Sequence, residues 1–259
     1  MNRESKPGSI ILLMDGAIAF VRLRNPAKFN AMSRDMWWQL KEVFEEIQQS
    51  RARCVLIAGE GAHFCAGGDI SEYPSFRFDA HQLALFHETE VWGGLSAMLN
   101  CDAPIVAAIA GNCMGAGVEI ASCCDVRVAG ESAKFGAPIA RLGFPMAPRE
   151  AGLVAAALGA NVARAMLLAA EVFPASRLQD TGYLTRVVAD ADVDAQASDV
   201  AKRIAALAPG AAKMNKQILR MSKFIPDART YAYADGAEHR EGIAAFLHKR
   251  TPDFGLDEK

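Results

Sequence analysis

Residues 104–130 read PIVAAIAGNCMGAGVEIASCCDVRVAG, and this stretch decides the architecture. It begins and ends on apolar runs, IVAAIAG (105–111) and VRVAG (126–130), each passing into Ala-Gly. A third run of the same kind, CVLIAG (54–59), lies upstream. Apolar runs without polar alternation, separated by helical segments, predict parallel strands covered on both faces. The Ala-Gly pairs recur at unequal intervals, which excludes a short-period solenoid.

Toward the N-terminus, IILLMDGAIAFVRLR (10–24) sets Asp15-Gly16 between two strand-forming runs and predicts a hairpin. Asn25-Pro26 ends it. Ser33 is then the expected cap of a helix whose Met36, Trp37, Leu40, Phe44 and Ile47 recur at helical spacing and pack on the sheet. Residues 79–99 predict a helix with a mixed surface carrying His81, His87, Glu88 and Glu90, where a histidine is read as solvated. From Asp192 onward, Val193, Ala197, Val200, Ile204 and Leu207, then Met214, Ile218 and Met221, describe an amphipathic helical tail. Such a tail covers the main domain or a neighbouring subunit.

At 259 residues the chain is long enough for one large domain or two small ones. Its 28 basic and 30 acidic residues give a net charge of −2. No long-range field gathers phosphate backbones or anionic lipid, so neither nucleic acid nor membrane is an expected partner. Cys54, Cys65, Cys101, Cys113, Cys123 and Cys124 form no CxxC pair and read as buried, reduced thiols. The polar start, Met1 to Pro7, precedes an apolar run too short for a signal peptide. The longest uncharged stretch, between Asp102 and Glu119, is too short to span a bilayer, so a cytoplasmic protein is expected.

Two glycine-rich segments, GEGAHFCAGGDI (59–70) and GNCMGAGVEIASCCD (111–125), each follow a strand and lead toward a helix. That arrangement aims free backbone N–H groups at an anionic oxygen. Dinucleotide, P-loop and nucleophile-elbow motifs are missing, and the histidines lack metal-ligand spacing, so no metal site is expected. Glu119 stands in an apolar segment where burial would raise its pKa toward that of a general base; a helix-capping carboxylate fits the same pattern.

Five segments, NPAKFNAM (25–32), FCAGGDI (64–70), residues 104–130, KFGAPIARLGFP (134–145) and AAFLHKRTPDF (244–254), together resemble the crotonase superfamily, also called the enoyl-CoA hydratase/isomerase family. The resemblance implies an α/β spiral of ββα turns over residues 1–190 and a C-terminal helical trimerisation segment over 191–259. It also implies a homotrimer or dimer of trimers acting on an acyl-CoA thioester, with no cofactor beyond the coenzyme A of the substrate. Glu119 would be the catalytic acid–base group. The N–H groups of Ala66 and Ala116 would form the oxyanion hole, with Ala116 standing where many members have Gly. Lys28, Ala66, Gly67, Gly68, Asp69 and Ala116 would line the coenzyme A site, joined by Phe246 and Lys249, for which core packing and surface charge are the ordinary alternatives.

One position departs from the pattern. Hydratases of this kind carry a second glutamate twenty residues beyond the first, in FGxPE; here the segment reads FGAPI and the residue is Ile139. Hydration with one glutamate, double-bond isomerisation, decarboxylation or thioester hydrolysis, and noncatalytic acyl-CoA binding all stay open. Glu88, Glu90 and Glu150 are candidates for a replacement acid, with solvated surface as their ordinary reading.

Overall fold

The computed structural model describes residues 8–220 and 232–255; Met1 to Pro7 and Met221 lie outside them. Nine strands are present among the described residues: β1 (Ser9–Asp15), β2 (Ile18–Arg24), β3 (Cys54–Gly59), β4 (Ile105–Ile109), β5 (Asn112–Met114), β6 (Val126–Gly130), β7 (Lys134–Gly136), β8 (Val172–Pro174) and β9 (Arg186–Val188). Six make a sheet in the order β1-β2-β3-β4-β6-β9, parallel except for the β1–β2 hairpin. The other three make a small sheet, β5-β7-β8.

The hairpin forms where expected, but its turn falls one residue later. Asp15 still pairs with Ile18, and only Gly16, at φ +55°, takes the left-handed conformation in the loop. Helix α1 (Arg34–Gln49) begins at Ser33, whose Oγ accepts from the Met36 N–H at 3.2 Å. Its buried face is the predicted set of Met36, Trp37, Leu40, Phe44 and Ile47.

The chain passes repeatedly from the large sheet to the small one and then into helix. β4 leads to β5 and then α4 (Ala116–Ser122); β6 leads to β7 and, through a short loop, to α5 (Pro148–Leu158). The first passage is abbreviated: beyond β3, Cys65 alone bridges in parallel to Cys113 of β5. Helical residues then run through α2 (Ala80–Leu85), a π-helical turn (Phe86–Val91) and α3 (Trp92–Asn100). Helices α6 (Ala160–Leu168) and α7 (Ala175–Asp180) follow α5.

Alternation along the central strands feeds two cores. Val55 and Ile57 join the main cluster with α1, α3 and α4, whereas Cys54, Leu56, Val106, Ala108 and Val128 face the opposite way. That second face is covered by α8 (Val193–Ala205) through Val193, Ala197, Val200 and Ala201. The tail's first helix therefore seals the main sheet. α9 (Pro209–Arg220) is tied to the same body by Lys216, whose ammonium lies 2.7 Å from Asp125 and donates to the Ala103 carbonyl at 3.0 Å. α10 (Ala237–Leu247) buries little more than Ala245. All six cysteines are free and buried. No helix among the described residues is long and apolar enough to cross a membrane.

Candidate active site

The parallel bridge between Cys65 and β5 brings the two glycine-rich loops side by side: the Cys65 N–H donates to the Asn112 carbonyl at 3.0 Å, and the Met114 N–H to the Cys65 carbonyl at 2.8 Å. Both loops leave this ladder in the same direction. Gly115 adopts φ +48° and ψ −110°, a conformation open chiefly to glycine, and turns the chain so that Ala116 begins α4. As the first helical residue Ala116 has no intrahelical acceptor for its N–H. It needs no left-handed backbone, so alanine replaces glycine there without strain.

The partner donor is not the one expected. The Ala66 N–H is committed to the Phe29 carbonyl at 3.0 Å, which removes it as a free donor. The Met32–Gly68 bridge uses the Gly67 carbonyl and the Asp69 N–H, leaving the N–H of Gly68 without a protein acceptor among the described residues. Gly68 and Ala116 both line one cleft of about 60 Å³, and Ala66 does not. A β-carbon on Gly68 would fall 2.3 Å from the Tyr73 hydroxyl oxygen, so a larger residue there must displace the Tyr73 ring.

Glu119 lines the same cleft from the first turn of α4. Its carboxylate makes no hydrogen bond or ion pair among the described residues. Burial, reinforced by the nearby negative charge of Glu150, pushes its pKa up to about 8. A carboxyl in this state can both take and give a proton near neutrality. Ile139 lines the cleft as well, so the position of the absent second glutamate faces Glu119 with a hydrocarbon. Trp37, Phe86, Val91, Phe144 and Met146 make most of the remaining wall apolar. The Arg77 guanidinium stacks on the rings of Tyr73 and Phe144, 4.4 and 3.8 Å from their centres.

The three candidate replacement acids separate clearly. Glu88 is exposed and pairs with Arg149 at 3.2 Å. Glu90 is buried but held by the Arg34 guanidinium through several hydrogen bonds. Glu150, only 2% exposed, lies 3.0 Å from Nδ1 of His87, and His87 lines the cleft. The expectation of a solvated His87 is therefore incorrect: it sits on a π-helical turn, contacts Glu150, and its side chain is only 19% exposed. His87, Tyr73 and the Gly68 N–H are the site groups that sequence reasoning missed.

At the expected coenzyme A loop, the Lys28 ammonium is 2.6 Å from the buried carboxylate of Asp69 and 2.8 Å from the Ser71 hydroxyl. Burial alone would raise the Asp69 pKa; the hydrogen bonds from Lys28 and Ser71 outweigh it and hold the group below its ordinary value. Phe246 is 82% exposed, Lys249 follows α10 on the surface, and neither lines the cleft of its own chain. No cluster of three metal-ligating side chains occurs among the described residues.

The fold and much of the sequence are similar to those of known proteins. A 2,3-dehydroadipyl-CoA hydratase of Escherichia coli (strain K12) is 30% identical over 256 residues, covering 95% of this chain and 98% of its own. The crystal structure of an enoyl-CoA hydratase/carnithine racemase from Magnetospirillum magneticum superposes with a TM-score of 0.90 at 35% identity, covering 96% of each chain. That of an enoyl-CoA hydratase from Polaromonas sp. JS666 does so with a TM-score of 0.84 at 27% identity, covering 95% of this chain and 99% of its own. The sequence profile of enoyl-CoA hydratase/isomerase matches residues 14–257. With two sheets threaded in ββα order and nearly the whole length matched, the chain belongs to the enoyl-CoA hydratase/isomerase family of enzymes.

Proposed function

We propose that the protein hydrates a 2-enoyl-CoA thioester by way of an enolate. The observation that carries this reading is the meeting, in one cleft, of two unpaired backbone donors and one unpaired carboxyl, Glu119. Addition of hydroxyl at Cβ pushes charge onto the thioester oxygen, and the N–H groups of Gly68 and Ala116 receive it. Each such donor is worth roughly 3–4 kcal/mol in comparable sites. Glu119 exchanges the proton at Cα. The names of the hydratase relatives support the same reaction.

Lys28 and the loop from Ala66 to Asp69 are the groups proposed to hold coenzyme A, which enters only as part of the substrate. Phe246, Leu247 and Leu219, all strongly exposed on α10 and α9, support assembly as a homotrimer or dimer of trimers that covers them. Six free thiols support a reducing, cytoplasmic setting.

Ile139 favours a second reading, migration of a β,γ double bond with Glu119 as a single proton shuttle. A panel of acyl-CoA substrates, followed by mass spectrometry for hydration, double-bond migration, CO2 loss and free coenzyme A, distinguishes the two. Hydration of crotonyl-CoA that disappears in Glu119→Gln is the expected result. Thioester binding without turnover on any member would overturn both readings.

A further inference from the structure

We propose that His87, held by the buried carboxylate of Glu150, is the second acid–base group of this cleft and activates the water that adds to the substrate. The inference rests on the hydration reading and completes it, since hydration moves two protons and Ile139 supplies no site for the second.

Four observations converge on this pair. His87 lines the cleft together with Glu119 and Ile139, whereas Glu150 stands behind it, almost fully enclosed. A buried carboxylate needs a donor, and Nδ1 of His87 at 3.0 Å is the one present. With Nδ1 carrying the hydrogen, the lone pair falls on Nε2, which has no other protein partner among the described residues. His87 is also carried by a π-helical turn, a deformation that occurs often at functional positions. Finally, the negative charge of Glu150 adds to burial in favouring the protonated form of Glu119, which suits that carboxyl to deliver a proton to Cα during hydration.

The step balances as follows. Nε2 of His87 takes a proton from water while the oxygen forms its bond to Cβ. The π electrons of the Cα–Cβ double bond pass into the thioester, whose oxygen is held by the N–H groups of Gly68 and Ala116. Glu119 gives its proton to Cα as the carbonyl re-forms, which yields the 3-hydroxyacyl thioester. The imidazolium of His87 and the carboxylate of Glu119 then exchange the remaining proton through solvent. Glu150 touches no substrate; it is a positioning residue that fixes the tautomer and stabilises the transient imidazolium.

The test compares wild type, His87→Gln and Glu150→Gln in two assays, hydration of crotonyl-CoA and exchange of the α-protons of butyryl-CoA in D2O. The second assay needs the donors and Glu119 but no activated water. Hydration by His87→Gln is expected to fall about 100-fold or more relative to exchange, the range of general acid–base catalysis. Glu150→Gln is expected to lower kcat about tenfold with little change in KM. It is also expected to lose the single Nδ1–H tautomer in the ¹⁵N spectrum of His87, a signature a merely structural role would not produce. Parallel loss of hydration and exchange in His87→Gln, retention of more than a third of its hydration rate, or an unaltered tautomer in Glu150→Gln would each overturn the proposal. A wild type that exchanges α-protons yet hydrates no enoyl-CoA would instead remove the hydration reading on which it rests.

Discussion

Exchanging Glu119 for glutamine turns an acid that its surroundings force to hold a proton into a neutral group of the same shape. The variant is expected to gain stability near neutral pH while losing turnover. In the folded protein Glu119 ionises near pH 8; in the unfolded chain it does so near its ordinary 4.5. Below pH 4.5 both states hold the proton and the group has no effect on folding. Between 4.5 and 8 the unfolded chain releases the proton and the folded protein does not, so the wild type loses stability as pH rises. At about 1.4 kcal/mol per decade of pH, the loss reaches roughly 3 kcal/mol by pH 7 and levels off near 5 kcal/mol above pH 9. Urea unfolding of both proteins at pH 5 and pH 8, at one fixed protein concentration because the proposed subunit association would add to apparent stability, reads this directly. The advantage of Glu119→Gln is expected to widen by about 3–4 kcal/mol between the two pH values. A pH-independent difference would refute the argument that enclosure keeps this carboxyl protonated.

Three further outcomes follow from the geometry. Ile139→Glu is expected to raise crotonyl-CoA hydration about tenfold and to restore it in His87→Gln, because it returns a carboxylate to the cleft; a folded variant with no gain would point to a non-hydratase reaction. Gly68→Ala drives a methyl group into the Tyr73 hydroxyl and is expected to cost about 1–3 kcal/mol, most of it recovered in the double variant with Tyr73→Phe; thermal unfolding of the three proteins checks this. Lys28→Met strips the Asp69 carboxylate of its half-exposed cation and is expected to cost about 1 kcal/mol and weaken thioester binding in calorimetry, whereas unchanged stability would mean that water replaces the ammonium.

What could be read from the amino-acid sequence was whatever local periodicity encodes. The five buried positions of α1 and its Ser33 cap follow from helical spacing, and the three apolar runs ending in Ala-Gly follow from the double burial of parallel strands. The covering role of the tail was also visible, although only packing decides that α8 seals its own sheet. At the site, Glu119 was marked by its isolation among apolar neighbours. His87 was not, because a π-helical turn shifts the face a residue presents and leaves no trace in a 3.6-residue pattern. The choice between Ala66 and Gly68 turns on which N–H the Phe29 carbonyl consumes, a long-range contact that loop composition does not encode.

The two donors proposed for the oxyanion are main-chain groups whose spacing is set by the pairing of Cys65 with β5. Substitution at position 68 or 116 crowds or tilts a donor but, proline aside, does not delete it. The groups proposed for acid–base chemistry, in contrast, each depend on a single codon. The charge-stabilising half of the site is thus insulated from point mutation, and the proton-moving half is open to it. A lineage built on this scaffold can exchange one thioester reaction for another while retaining the enolate pocket, and a collection of variants confined to positions 87, 119, 139 and 150 would sample that drift directly.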